Sequence, residues 1–271
     1  MKKISRLLAG AALAVAAAGF AAPAHAADDA TVTVVHGIPG ATVDVYANGK
    51  ELLDNFKPGT VTDALKIPAG QYDLKVTAPN AGAGGAAIVE AKGVTVPAGA
   101  NVSVVAHLTA AGKPALTPYV NDVSKVAAGQ ARLTVRHTAA APAVDVRANG
   151  AVAFKNLTNP KEAKADLPAG TINADVTLAG TKTVAIGPAK LTLAEGTNTI
   201  VYAYGSAADK TLALAVQTIS GLHSAPGGVP AGSGGQAAQQ SDLSRAALVG
   251  SVALVAGALV LLRRRSATAR V

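Results

Sequence analysis

Two short stretches carry the residues with the best claim to chemistry: Val43 to Gly49 reads VDVYANG, and Val144 to Gly150 reads VDVRANG. Each places an aspartate, Asp44 or Asp145, in the middle of an alternating apolar run, where that residue type is disfavoured. A histidine precedes each at the same spacing, His36 and His137, and a tyrosine, Tyr46, follows in the first stretch only. A carboxylate and an imidazole can serve as an acid/base couple or as half of a metal site. The competing reading is structural: the carboxylate accepts backbone N–H groups from the Gly/Pro turn that precedes it and braces that corner. Strand parity favours the second reading, since it puts His36 on the apolar face and Asp44 on the polar one.

Other chemistry finds little support. The five histidines show no zinc-ligand spacing, so no metal or cofactor is expected. The serine segments lack a Gly-x-Ser-x-Gly elbow and there is no cysteine, which removes the usual nucleophiles and any disulfide. Gly82 to Gly85 (GAGG) joins strands and does not open a helix, so it reads as a hairpin loop and not as a phosphate cradle. With no Trp, the aromatic material for a glycan platform reduces to Tyr46, Tyr119, Tyr202 and Tyr204.

The elements that must position these residues come in two copies. An offset of 101 relates His36 to His137 and Asp44 to Asp145; it becomes 100 at IPAGQYDLKVTA against LPAGTINADVTLA, and 97 at PAGANVSVVAH against AEGTNTIVYAY. Alternation at Thr31 to His36, Val43 to Ala47, Gln71 to Thr77 and Val102 to Leu108 predicts half-buried strands, with Arg132, Thr134 and Arg136 on the polar face of the corresponding second-copy strand. Asn48-Gly49 and Asn149-Gly150 predict tight primed hairpins. About seven strands per copy and no helical period predict an all-β protein of two tandem immunoglobulin-like β-sandwich domains.

The ends have a different character. Residues 1–26 read as a signal peptide, with Lys2, Lys3 and Arg6 before an apolar run and Ala24-His25-Ala26 as the cleavage site. The repeats occupy 27–127 and 128–219, a Gly/Ser/Pro stalk 220–244, a transmembrane or sorting helix 245–262, and a basic cytoplasmic tail 263–271. The uncharged run Ala246 to Leu262 spans about 25 Å as a helix, short of the ~30 Å hydrocarbon core. Lys2, Lys3, Arg6, Arg245, Arg263, Arg264, Arg265 and Arg270 account for the whole net charge of +8, so the exported part is neutral and no nucleic-acid partner is expected.

The pattern VxVVHGIPGATVDVYANGK, its second instance LTVRHTAAAPAVDVRANG, and the following PAGxYxxxV resemble the bacterial domain-of-unknown-function family 4397 over about Thr31 to Thr218. The resemblance implies an exported, often duplicated surface protein with a C-terminal tether, of no established activity. The second copy departs from the pattern, with Ala140 in place of the proline and Arg147 in place of the tyrosine. The expectation for function is a non-enzymatic cell-surface protein, structural or adhesive at the bacterial envelope. The alternative is an envelope module that binds glycan or peptide. Partners follow from the ends: the membrane through the C-terminal helix, a cell-wall or surface component, and a sortase if Val229 to Gly235 (VPAGSGG) is a variant sorting motif.

Overall fold

The computed structural model describes residues 28–224; the leader, most of the stalk, the apolar segment and the basic tail fall outside the described residues. Each copy folds into eight strands. The first comprises β1 (Ala30–His36), β2 (Val43–Ala47), β3 (Lys50–Phe56), β4 (Leu65–Ile67), β5 (Gly70–Thr77), β6 (Ala87–Val96), β7 (Asn101–Leu108) and β8 (Pro114–Val120). The second comprises β9 (Gln130–Ala140), β10 (Val144–Ala148), β11 (Ala151–Leu157), β12 (Glu162–Pro168), β13 (Gly170–Leu178), β14 (Val184–Leu193), β15 (Asn198–Ser206) and β16 (Ala213–Ile219). Among the described residues there is no α-helix.

The strands form four sheets, β4-β1-β7-β8 and β3-β2-β5-β6 in the first copy, β12-β9-β15-β16 and β11-β10-β13-β14 in the second. The two orders are the same, strand for strand, so the repeat seen in the letters is a repeat of topology. Within each copy the two sheets face each other across an apolar core. Val32, Val34, Val102 and Val104 of one sheet meet Val43, Val45, Leu74 and Val76 of the other, and Leu133, Val135 and Val201 meet Val144, Val146 and Val176. The sandwich expectation holds, but its immunoglobulin-like connectivity does not. The first strand lies between the fourth and the seventh and runs parallel to the seventh, whereas an immunoglobulin sheet pairs its first strand with its second. Strand order is decided by long-range pairing, and local alternation carries no trace of it.

The hairpins form as their letters require. Asn48 and Gly49 adopt φ of 51° and 75°, Asn149 and Gly150 50° and 81°, the left-handed pair of a primed turn. Each Asn also reaches sideways: the Asn48 Oδ1 accepts the Asp73 N–H at 2.8 Å, and the Asn149 Oδ1 the Asn173 N–H at 2.9 Å. The GAGG stretch lies in the β5–β6 connection, as expected of a loop between strands.

The largest departure from expectation concerns the strands read as half-buried. β1 and β9 are buried on both faces along nearly their whole length, because the two copies pack sheet to sheet, with β7 lying against β9 and β15. Val35, Val105 and Tyr119 of the first copy join Ile200, Tyr202 and Ala215 of the second in a separate apolar cluster. Arg136, expected on a solvent face, is 1% exposed. Its guanidinium sits 4.2 Å from the Tyr119 ring centroid and 5.4 Å from that of Tyr202. It donates to the Tyr202 hydroxyl and the Asn121 Oδ1, each at 2.8 Å, and pairs with Glu162 at 2.8 Å. Further bonds cross the seam, among them Ser103 Oγ to Gln217 Oε1 at 2.8 Å, the Tyr119 hydroxyl to the Pro160 carbonyl at 2.7 Å, and Asn159 Nδ2 to the Leu108 carbonyl at 2.8 Å. A buried cation is tolerated only when so fully partnered.

Candidate functional site

His36 ends β1 with its ring inside the first sandwich, stacked on Phe56 at 5.6 Å between centroids. Its Nδ1 lies 3.3 Å from the Ile38 N–H and its Nε2 2.8 Å from the Ala41 carbonyl. A backbone N–H can only donate, so Nδ1 accepts and Nε2 carries the single proton of a neutral ring. His137 repeats the arrangement, with the Ala139 N–H at 3.4 Å and the Pro142 carbonyl at 2.9 Å. Burial pushes both imidazoles below the ordinary histidine value. The histidine therefore braces the Gly/Pro turn after β1, and it does so in the second copy although Ala140 stands in the proline's place.

Asp44 lies in the other sheet and points away from His36, on the face of β2 opposite the core. It is nevertheless buried, because connecting segments fold over it. Its Oδ1 accepts the Asn55 N–H at 2.9 Å and its Oδ2 the Asn80 N–H at 2.8 Å. Asp145 accepts from Asn156 at 2.7 Å and Gly180 at 2.8 Å, and these two bonds hold its carboxyl below the usual carboxylate range. All four donors sit at positive φ: 50° and 61° in the first copy, 53° and 71° in the second. The carboxylate thus ties a bulge near the end of β3 (or β11) to the loop after β5 (or β13). The expectation that it accepts backbone N–H groups holds, but the turn before it is not the donor. Sequence reading passed over Asn55 and Asn156, although they recur at the same offset of 101 as the aspartates.

The structure brings no histidine and aspartate together, so the acid/base pairing has no geometry behind it. Tyr46 stands beside Asp44 with its hydroxyl 3.4 Å from the Glu51 carboxylate. Burial, then the Glu51 and Asp44 carboxylates, push its phenol up. In the second copy Arg147 takes its place and grips Asp175 through two bonds, of 2.6 and 2.9 Å; the first copy has Tyr46 across from Lys75. The tyrosine patch does not form: Tyr119 and Tyr202 are buried in the seam, Tyr204 packs against that cluster, and Tyr46 lies elsewhere.

Among the described residues, a polar cleft of about 410 Å3 lies between Thr33 and Thr62 of the first copy and Gln217 and Thr218 of the second, and an apolar cavity of about 340 Å3 lies between the sheets of the first sandwich. Its walls are valines and leucines of both sheets, and at one end it meets Lys50, Glu51, Pro68 and Tyr72.

Fold and site together describe an all-β protein of two packed β-sandwiches whose repeated histidines and aspartates serve the backbone. Residues 30–147, the whole first sandwich with β9 and nearly all of β10, match the family model described as domain of unknown function (DUF4397). No curated protein matches the chain.

Proposed function

We propose that this protein is a non-enzymatic component of the bacterial cell surface, exported by residues 1–26, held on a stalk and tethered by the apolar segment 245–262, with a structural or adhesive role. The observation that carries this reading is the use made of the polar signature. His36, His137, Asp44 and Asp145 each have both of their polar atoms engaged with backbone groups. Residues so engaged stiffen corners, and their polar atoms are directed at backbone groups of their own domain and not toward a substrate. The buried seam supports the same reading, since two sandwiches joined through a hydrogen-bonded face suit a spacer between a tether and a contact surface.

The tether has two competing chemistries, membrane retention and transfer to the wall by a sortase acting near Val229 to Gly235. Fractionating cells that make the chain separates them. Detergent should release a mature protein that still carries the C-terminal arginines. Recovery only after wall digestion, with the residues beyond the motif missing, would replace the membrane anchor by covalent attachment. Recovery in the cytosol with the leader intact would remove the surface role altogether.

A further inference from the structure

The cavity in the first sandwich differs in chemistry from the rest of the molecule's surface. Val34, Val43, Val45, Leu74 and Val76 line its interior, and all are buried. At the other end, Lys50, Glu51 and Pro68 are exposed and Leu52, Ile67 and Tyr72 half-buried, so the cavity reaches solvent between the start of β3 and the β4–β5 turn. The Tyr72 hydroxyl donates to the Pro68 carbonyl at 2.7 Å and holds the turn at the rim. Lys50 is the one cation among the lining residues.

The second copy supplies an internal control. At corresponding positions Val32, Val94 and Val96 of the cavity wall become Leu133, Leu191 and Leu193, while Lys50, Glu51 and Tyr72 at the mouth become Ala151, Val152 and Ile172. Three other wall residues shrink, Leu52 to Ala153, Phe56 to Leu157 and Leu74 to Ala174, so the duplicated sandwich folds with its wall volume redistributed and with no charge at the mouth. Neither the valines nor the lysine is required by the fold.

We infer that the first sandwich binds a single unbranched acyl chain, inserted between the sheets with its anionic head at Lys50. The walls are apolar and line a narrow space between two sheets, which a slender chain can enter with dispersion contacts on both sides. At about 30 Å3 per water-sized group, 340 Å3 holds on the order of ten methylene groups. A sugar would leave its hydroxyls unpaired against valine and leucine. A free fatty acid and a lipid chain share this chemistry. The inference does not depend on the surface role proposed above.

The test is photolabelling of the full-length chain in phosphatidylglycerol vesicles, with dodecanoic acid carrying a diazirine near its methyl end, and separately with phosphatidylglycerol carrying the same group on one acyl chain. Label is expected in peptides from β2, β5 and β6, and to exceed that in β10, β13 and β14 at least tenfold. Label from the free acid alone identifies a free fatty acid as the ligand, and label from the tagged lipid identifies a membrane chain; either supports the site. The variant Val32→Leu/Val94→Leu/Val96→Leu, which adds a methylene at each of three wall positions, should lose the label. Lys50→Ala should weaken the acid several-fold and leave its methyl ester unchanged. Untagged dodecanoate should suppress labelling of the unmodified chain, a measurement that stands even if the triple variant fails to fold. Equal labelling of both copies, or labelling that neither dodecanoate nor the filled variant reduces, would overturn the site.

Discussion

Asp44 and Asp145 show how a charged residue becomes part of a scaffold. Each carboxylate satisfies two backbone donors at left-handed positions that have no strand partner of their own. Asp44→Ala should cost about 1 to 3 kcal/mol by leaving those donors unsatisfied, and Asp44→Asn less, since one acceptor remains; shifts of the urea midpoint measure both. The histidines make a second prediction. His36, His107 and His137 all have folded pKa values lowered from 6.5, burial being the first cause in each. Below pH ~6.5 the unfolded chain binds protons that the folded chain refuses, so stability is greatest above that value and falls as the pH drops through it. Protonating Nδ1 of His36 would also break its bond from Ile38. Urea midpoints are expected to fall between pH 7.5 and 5.5, and His36→Asn should make that fall shallower. A flat profile in the parent protein would contradict the neutral, buried rings.

At the scale of elements, the seam between β1, β7 and β8 on one side and β9, β15 and β16 on the other is set by which residues occupy the outer parity positions. Thr33, Val35, Ser103 and Val105 meet Thr134, Arg136, Ile200 and Tyr202, and all are buried. Arg136 is the residue on which the seam most depends, because the Tyr202 hydroxyl, Asn121 and Glu162 all converge on it. Arg136→Ala should cost about 3 kcal/mol or more by stripping these groups of their partner. Arg136→Met, which keeps volume against the two tyrosines, should cost less. Tyr119→Phe removes only the bond to the Pro160 carbonyl and should cost about 1 kcal/mol. Thermal melts of the three variants give the order directly. An alanine variant that melts like the parent would mean that Arg136 does not stabilise the seam.

For the whole molecule, each copy has its own apolar core, yet a third cluster belongs to both. Residues 31–127 and 131–219 made separately should therefore each show β-type circular dichroism, because each retains its core. Each should melt below the intact pair, because Val35, Val105 and Tyr119 on one, or Ile200 and Tyr202 on the other, would face water. Mixing the two should restore stability through association. The intact protein is expected to unfold in a single transition. Two well-separated transitions, at the temperatures of the isolated copies, would show that the seam contributes nothing.

The sequence by itself determined what is local and what is repeated. Asn48-Gly49 and Asn149-Gly150 specify their turns because only left-handed φ at both positions matches the twist of the flanking strands. The alternation of Val32, Val34, Val43 and Val45 specifies which side of each strand meets a core, and the constant offset specifies that the two copies share one plan. The tertiary structure decided what lies on the other side. Arg136 and Thr134 look like a solvent face because parity separates core from non-core and cannot say whether the non-core face meets water or a second sheet. Asp44 looks exposed for the same reason, until residues 55 and 80 close over it. Strand order, with β1 parallel to β7, comes from pairing between residues some seventy positions apart, and no short window holds that information. The cavity, too, is a property of two sheets held apart at a particular spacing. Its valines read as ordinary core, and no short window of sequence shows that space remains between them.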